Sequence, residues 1–204
     1  NSAENYYHKS LNKNAKIDYL LLEIGNFYYI QNDLEKALNY YNKALKLNSN
    51  SFVLLNNIGL VYLAVNQFEN AISFFSKSLQ INRNYINALI NRSVCFNKLN
   101  NYNDAIKDCE KIIKLDPKFA SAYNNLGWAY HIKGNNEKAI TNYKIALELQ
   151  PNYLDTINNL GGAYFNLGDK KLAAEYFKKS LEIDPQNTCL LYTSDAADDD
   201  VRVD

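Results

Sequence analysis

Four asparagines recur at intervals of 34 residues, and their side chains could support the same hydrogen bonding four times over: Asn57, Asn91, Asn125 and Asn159. A carboxamide can donate to a carbonyl and accept from an N–H at once. A regular row of amides could therefore hold the main chain of an extended peptide without reading its side chains. One residue earlier, a second row is mostly Asn as well: Asn56, Ile90, Asn124 and Asn158. Because Asn is the commonest residue in the chain, composition alone could also produce the first row.

Pairs of helices are the elements that must position these amides. In residues 120–153, small and apolar residues recur at helical spacing on both sides of Gly134, and Pro151 closes the second helix. The same unit recurs in register, with position 1 at Asp18, Phe52, Ile86, Ala120 and Leu154. The units are 18–51, 52–85, 86–119, 120–153 and 154–187. The predicted helix pairs are 18–31/34–47, 52–65/68–81, 86–99/102–115, 120–133/136–149 and 154–167/170–183.

Four positions of the unit explain how its two helices could pack and end. Position 8 is small and position 24 is mostly aromatic, which favours close approach of the two helices: Gly25, Gly59, Ser93, Gly127 and Gly161, then Tyr41, Phe75, Cys109, Tyr143 and Phe177. Position 15 holds residue types that tolerate the left-handed conformation at a helix end: Asn32, Asn66, Asn100, Gly134 and Gly168. Position 16 predicts N-caps for the second helices: Asp33, Gln67, Asn101, Asn135 and Asp169.

Position 20 is Ala in all five units, and position 32 is Pro in the last three: Ala37, Ala71, Ala105, Ala139 and Ala173, then Pro117, Pro151 and Pro185. This period and these columns resemble the tetratricopeptide repeat, which has 34 residues, small residues at positions 8 and 20, and Pro at position 32. The resemblance implies an all-α fold, a right-handed superhelical solenoid of antiparallel helix pairs. It also implies that the first helices line a concave groove, with positions 2, 5, 6, 9, 12 and 13 facing a ligand. The candidate peptide-binding residues are then Asn56, Asn57, Asn91, Asn124, Asn125, Asn158, Asn159, Leu60, Trp128 and His131. The row at position 6 is similar to the asparagine ladder in the repeat arm of O-linked N-acetylglucosamine transferases.

Three functions are open at this point. The first is a non-enzymatic scaffold that binds an extended segment of another protein in a neutral, Asn-lined groove. The second is the substrate-selecting arm of a larger enzyme such as a glycosyltransferase, and the third is an RNA-binding solenoid. The co-chaperone members of the family capture a C-terminal carboxylate with Lys and Arg, but Lys98 is the only cation among the groove positions.

Composition excludes several other functions. Lys and Arg balance Asp and Glu at 22 each, so the chain lacks the basic surface expected of a nucleic-acid binder. No apolar run reaches the roughly 20 residues that span a bilayer, and we expect a cytoplasmic protein. Three irregularly spaced cysteines predict neither a disulfide framework nor a zinc site. We find no phosphate-binding glycine loop and no catalytic set, and expect neither a cofactor nor a metal.

The two ends differ. Residues 1–17 are in phase with the second helix of a preceding repeat, and a helix is predicted from about residue 2 to 13. Residues 188–204 fit no repeat. Residues 189–198 resemble an in-frame translation of a transposase sequencing adaptor, and we expect an artificial segment rather than a natural acidic tail. Because neither end carries an evident polar cap, we also expect end-to-end self-association.

Overall fold

A computed structural model of the chain describes residues 17–185, which form ten α-helices. Every helix begins and ends within one residue of its predicted bounds. The predicted helix at 2–13 and the tail at 188–204 lie outside the described residues. In chain order the helices are α1 Ile17–Ile30, α2 Leu34–Leu47, α3 Phe52–Ala64, α4 Phe68–Ile81, α5 Ile86–Lys98, α6 Tyr102–Leu115, α7 Ala120–Ile132, α8 Asn136–Leu149, α9 Leu154–Asn166 and α10 Lys170–Ile183.

The helices belong to two compact units, which divide between Leu99 and Asn100. In the first unit α1 pairs with α2 and α3 with α4, while α2 packs on α3 and α4 on α5. In the second unit α6 packs on α7, α7 pairs with α8, α8 packs on α9, and α9 pairs with α10. The turn inside each pair is so short that the paired helices must run antiparallel.

The turns depend on one residue of positive φ in each. The residues are those predicted at position 15: Asn32 (58°), Asn66 (58°), Asn100 (59°), Gly134 (78°) and Gly168 (83°). In the α1–α2 turn, the N–H of Asp33 donates to Tyr28 O at 2.9 Å and that of Asn32 to Tyr29 O at 3.0 Å. This pair of bonds is the Schellman motif, which satisfies the last carbonyls of a helix. The expectation for position 15 is confirmed.

The close packing inside four of the pairs depends on a glycine at position 8. A Cβ added to Gly127 would lie 2.6 Å from Cε1 of Tyr143, and one added to Gly59 would lie 2.6 Å from Cε1 of Phe75. Real Cβ atoms do not approach so closely, so these rings occupy the space that a side chain at position 8 would need. The Tyr143 and Phe75 side chains are completely buried. Around such rings each unit builds its own apolar core.

The predicted caps at position 16 form in three of the five second helices. Asp33, Asn135 and Asp169 each accept a hydrogen bond from the backbone N–H three residues on, at 3.1–3.2 Å. Gln67 and Asn101 also stand at the N-cap position, as predicted, but their side chains make no capping hydrogen bond. Their side chains pair with a neighbour instead, since Gln67 accepts from Asn70 at 2.9 Å and Asn101 donates to Asp104 at 2.8 Å.

Candidate functional site: amides of the first helices

The amides at positions 5 and 6 lie on the first helix of each pair. They are neighbours in sequence, so helix geometry turns them about 100° apart and gives them different surroundings. At position 5, Asn56 is 3% exposed and Asn124 is 7% exposed. The four asparagines at position 6 are all half-buried: Asn57, Asn91, Asn125 and Asn159. Position 6 therefore reaches the surface, and the amides of Asn56 and Asn124 lie beneath it.

In the first unit these amides form a hydrogen-bonded chain. Asn91 Nδ2 donates to Asn56 Oδ1 at 3.2 Å, and Asn56 Nδ2 donates to Asn57 Oδ1 at 3.3 Å. Asn57 Nδ2 then donates to Asn26 Oδ1 at 2.9 Å, which also accepts from the Tyr41 hydroxyl at 2.8 Å. The chain thus runs from α5 through α3 to α1 and ends on a buried tyrosine of α2.

The second unit repeats the key bond of this chain. Asn159 Nδ2 of α9 donates to Asn124 Oδ1 of α7 at 3.1 Å, with the same separation of 35 residues as Asn91 and Asn56. The hydroxyl of Thr156, a completely buried residue, donates to the same oxygen at 3.0 Å. Asn124 Nδ2 lies 3.5 Å from Asn125 Oδ1. In α9, the Oδ1 of Asn158 is buried and has no hydrogen-bond partner among the described residues.

These bonds leave the outer amides with capacity to bind a ligand. A carboxamide offers two N–H donors and two lone pairs. Asn91 and Asn159 each spend one N–H on the amide beneath, which fixes the plane of the side chain. Each can still accept from an N–H and donate to a carbonyl of a second molecule. These are the two groups that every peptide unit presents.

His131 and Trp128 lie further along α7, and they stand apart from the amide chain. Asn166 Nδ2 of α9 lies 3.3 Å from His131 Nε2. Burial lowers the pKa of His131, while the Asn136 side chain opposes this shift, so the imidazole is neutral at pH 7. The Trp128 indole is 38% exposed, with its ring centroid 6.1 Å from that of His131. In the first unit, Leu60 is half-buried on α3.

The first helices that carry the amides are almost uncharged. Helix α3 contains no charged residue, and α9 contains only Asp155, in its first turn. In α5, Lys98 is exposed in the last turn, and Arg92 is turned toward α4, where its Nη1 donates to Ser76 Oγ at 2.9 Å. Within residues 17–185, no group of three or more His, Cys, Asp or Glu could hold a metal ion. None of the helices in that range is both long enough and apolar enough to cross a membrane.

Comparison with family models identifies the repeat. Models described as "Tetratricopeptide repeat" or "TPR repeat" match residues 25–66, 52–85, 86–119 and 118–186, which together leave no gap from residue 25 to residue 186. The chain belongs to the tetratricopeptide repeat (TPR) family. The all-α TPR solenoid predicted from the sequence is thereby confirmed as the fold class.

Solved TPR structures share this fold over nearly their whole length. MamA (residues 41 to the end) from Desulfovibrio magneticus RS-1 is 25% identical with a TM-score of 0.75, over 85% of this chain and 98% of that chain. A thermophilic TPR protein of Thermus thermophilus is 19% identical with a TM-score of 0.72, over 88% and 98%. YrrB, described as a TPR protein with an unusual peptide-binding site, is 22% identical with a TM-score of 0.71, over 93% and 97%. No curated protein matches the sequence.

Three residues that bind the candidate site residues were not among the predicted ones. Asn26, Thr156 and Asn166 lie at positions 9, 3 and 13 of their repeats and bind predicted residues. A signal for such contacts existed in the sequence, because Asn91–Asn56, Asn159–Asn124 and Asn166–His131 are all polar pairs separated by 35 residues. Polar residues one repeat plus one residue apart are therefore the pairs to look for in such a chain.

Proposed function

We propose that this TPR chain is a protein-interaction scaffold whose first helices bind an extended segment of another protein through its main chain. In each unit the contacts would come from the amides at position 6, with Asn91 and Asn159 as the best-defined pair. The observation that carries the proposal is the bond from each of these to a buried amide, Asn91 to Asn56 at 3.2 Å and Asn159 to Asn124 at 3.1 Å.

In this arrangement the buried asparagines and the half-buried asparagines above them have different roles. Asn56 and Asn124 are too buried to touch a ligand, so we assign them the task of orienting the amide above. A side chain that is already fixed loses little conformational entropy when it binds, which favours affinity. Asn91 and Asn159 are half-buried and carry the unused donors and acceptors. Asn57, one repeat before Asn91, and Asn125, one repeat before Asn159, would make equivalent contacts.

The small number of charged side chains on the first helices supports recognition of the peptide main chain. A surface that selected acidic or basic side chains would need opposite charges placed on the first helices. Helix α3 has none. In α5, Arg92 is bound to Ser76 and lies over the Phe96 ring, 5.6 Å from its centroid, and Lys98 lies about two helical turns after Asn91. Neutral amides instead match the peptide unit, which is neutral and the same in every sequence. Peptide binding by YrrB, which shares only the fold, is compatible with this use of first helices.

A peptide-array screen with matched variants tests the proposal. Peptides that bind the wild-type protein are tested again for binding to two double variants. These are Asn57→Ala/Asn91→Ala in the first unit and Asn125→Ala/Asn159→Ala in the second. Each net hydrogen bond contributes about 0.5–1.5 kcal/mol, so a double variant should weaken the binding of peptides to its unit by about 1–3 kcal/mol. The loss should be similar for hits of different sequence. The control is Asn39→Ala/Asn42→Ala, which removes two exposed amides from the second helix α2.

Chemically modified peptides provide a second, independent test of the same proposal. N-methylation of alternate main-chain nitrogens should abolish binding of a hit, whereas exchanging its side chains should change affinity little. Circular dichroism confirms that each variant is folded. The proposal is wrong if both double variants bind every wild-type hit as tightly as the control does.

A further inference from the structure

Six of the seven glycines have a reason in the fold, and Gly162 does not. Four lie at position 8, where the ring of position 24 fills the space of a side chain: Gly25, Gly59, Gly127 and Gly161. Gly134 and Gly168 have φ of 78° and 83°, which side chains disfavour. Gly162 lies inside α9, and a Cβ built on it would meet no atom within 4 Å. Since Gly in a helix interior is less stable than Ala, a residue at this open place would be expected to carry a side chain.

Two hydrogen bonds fix what lies beside Gly162. Asn159 binds Asn124 and Asn166 binds His131, so α9 lies beside α7 with a constant offset of 35 residues. Trp128 falls midway between Asn124 and His131 and is therefore level with Ala163. Ala163 is completely buried, whereas Gly162 is half-buried. The register thus places Gly162 one residue from the level of the exposed Trp128, on the less buried side of α9.

We propose that this space is a subsite for one side chain of the bound segment, with Gly162 as its floor, the Trp128 indole as its wall, and an uncharged ring such as Pro or Tyr as its occupant. The inference rests on the proposed function, to which it adds selectivity. It explains both the missing side chain of Gly162 and the exposure of the indole, because a ring in the subsite would cover the two together.

The chemistry of the surroundings defines the occupant. An indole face binds rings by offset or edge-to-face contact. The polar groups nearest in register are the amides of Asn158, Asn159 and Asn166 and the imidazole of His131, all of which are uncharged at pH 7. The only acid of α9, Asp155, lies two helical turns before Gly162. A charged side chain would therefore lose hydration in this subsite without gaining an opposite charge, and for a cation the attraction of one partly exposed indole face does not offset that loss.

Trp128 reports on the subsite directly, because it is the only Trp of the chain. The probes are pentapeptides Ac-Ala-Ala-X-Ala-Ala-NH2, in which X is Pro, Tyr, Gly, Lys or Glu. With the wild-type protein, Pro and Tyr peptides should change the indole emission and bind about fivefold or more tightly than the Gly, Lys and Glu peptides, as expected for an aromatic anchor site.

Gly162→Leu is the decisive variant. Its side chain would fill the subsite, while the open surroundings and the better helix propensity of Leu should leave the thermal melt no lower than that of the wild type. The preference for Pro and Tyr should disappear. Thr141→Leu adds the same side chain at an exposed position of α8 and should leave the preference intact.

The outcomes separate the subsite from the main-chain proposal. If all five peptides bind equally, or if Gly162→Leu keeps the preference for rings, the subsite is refuted and main-chain binding is untouched. If the preference is present but Asn125→Ala/Asn159→Ala binds as tightly as the wild type, main-chain binding by the second unit fails and the subsite stands. If no peptide binds the wild-type protein, both are refuted.

Discussion

The side chain of Asn91 donates to the buried Oδ1 of Asn56 across 3.2 Å, so an amide at the surface is held by an amide in the interior. Asn159 and Asn124 repeat this relationship in the second unit. The bond makes the outer asparagines structural as well as available to a ligand. Changing them is therefore expected to affect stability even when no peptide is present.

Asn91→Ala tests this structural role. The substitution leaves the buried Oδ1 of Asn56 without its donor, which is expected to lower the free energy of unfolding by about 1–3 kcal/mol. In Asn91→Ala/Asn56→Leu both polar partners are gone, so part of that loss should be recovered. Urea unfolding of the two variants and of Asn39→Ala, at an exposed site, provides the measurement. Equal stability of Asn91→Ala and Asn39→Ala would contradict the bond.

Gly127→Leu tests the packing inside a helix pair. The new side chain would collide with the Tyr143 ring, whose Cε1 would be 2.6 Å from the Cβ, and overpacking of this kind costs about 1–3 kcal/mol. Tyr143→Ala in the same chain would make room, so the two substitutions should cost less together than the sum of their separate effects. Thermal melts of the single and double variants measure this coupling. Strict additivity would show that the ring does not limit position 8.

Gly134→Ala and Gly162→Ala are the same substitution, but they are expected to change the free energy of unfolding in opposite directions. Gly134 has φ of 78°, where a Cβ costs about 1–2 kcal/mol, so Ala should destabilise the α7–α8 turn. Gly162 is helical and open, so Ala should stabilise α9 by about 0.5–1 kcal/mol. Denaturant unfolding of both variants compares them directly. Two shifts of the same sign would contradict the assignment of these glycines.

The sequence predicted the helices closely because each boundary depends on local chemistry. The left-handed residue at Asn32 or Gly134 and the small residue at Gly127 act within one helix pair and recur every 34 residues. The N-caps were less predictable, since the side chain of Gln67 can pair with Asn70 as readily as it can cap a helix.

The amide site was less predictable because it depends on contacts between repeats. The sequence placed Asn56 and Asn57 together as ligand-binding candidates, but Asn56 is buried and Asn57 is half-buried. Which of two adjacent amides is buried follows from how α3 packs against its neighbours. Asn26 joins the chain because it reaches both Asn57 and Tyr41. Its position 9 faces the groove in the family, but its contacts depend on residues of α2 and α3.

The half-buried His131 predicts a pH dependence of stability. Its pKa is lowered in the folded chain, chiefly by burial, whereas in the unfolded chain it is near its ordinary value of about 6.5. Below that value the unfolded state binds more protons than the folded state, so stability should fall as the pH drops through the lowered pKa. Urea unfolding between about pH 7 and about pH 5 should show a smaller fall for His131→Gln than for the wild type. An identical slope would assign the dependence to other groups.

Tyr41 and Tyr143 occupy the same position of their repeats and are expected to respond oppositely to loss of the hydroxyl. Burial raises the pKa of both phenols, but only Tyr41 has a partner, donating to Asn26 Oδ1 at 2.8 Å. The hydroxyl of Tyr143 is buried with no hydrogen-bond partner among the described residues, and Phe75 and Phe177 fill the equivalent place without a hydroxyl. Tyr143→Phe should therefore stabilise the chain by about 1 kcal/mol, whereas Tyr41→Phe should destabilise it by about 0.5–1.5 kcal/mol. Denaturant unfolding followed by circular dichroism measures both, with Tyr19→Phe as the control at an exposed site. If Tyr143→Phe destabilises the chain as much as Tyr41→Phe does, the Tyr143 hydroxyl has a partner and the difference between the two repeats does not exist.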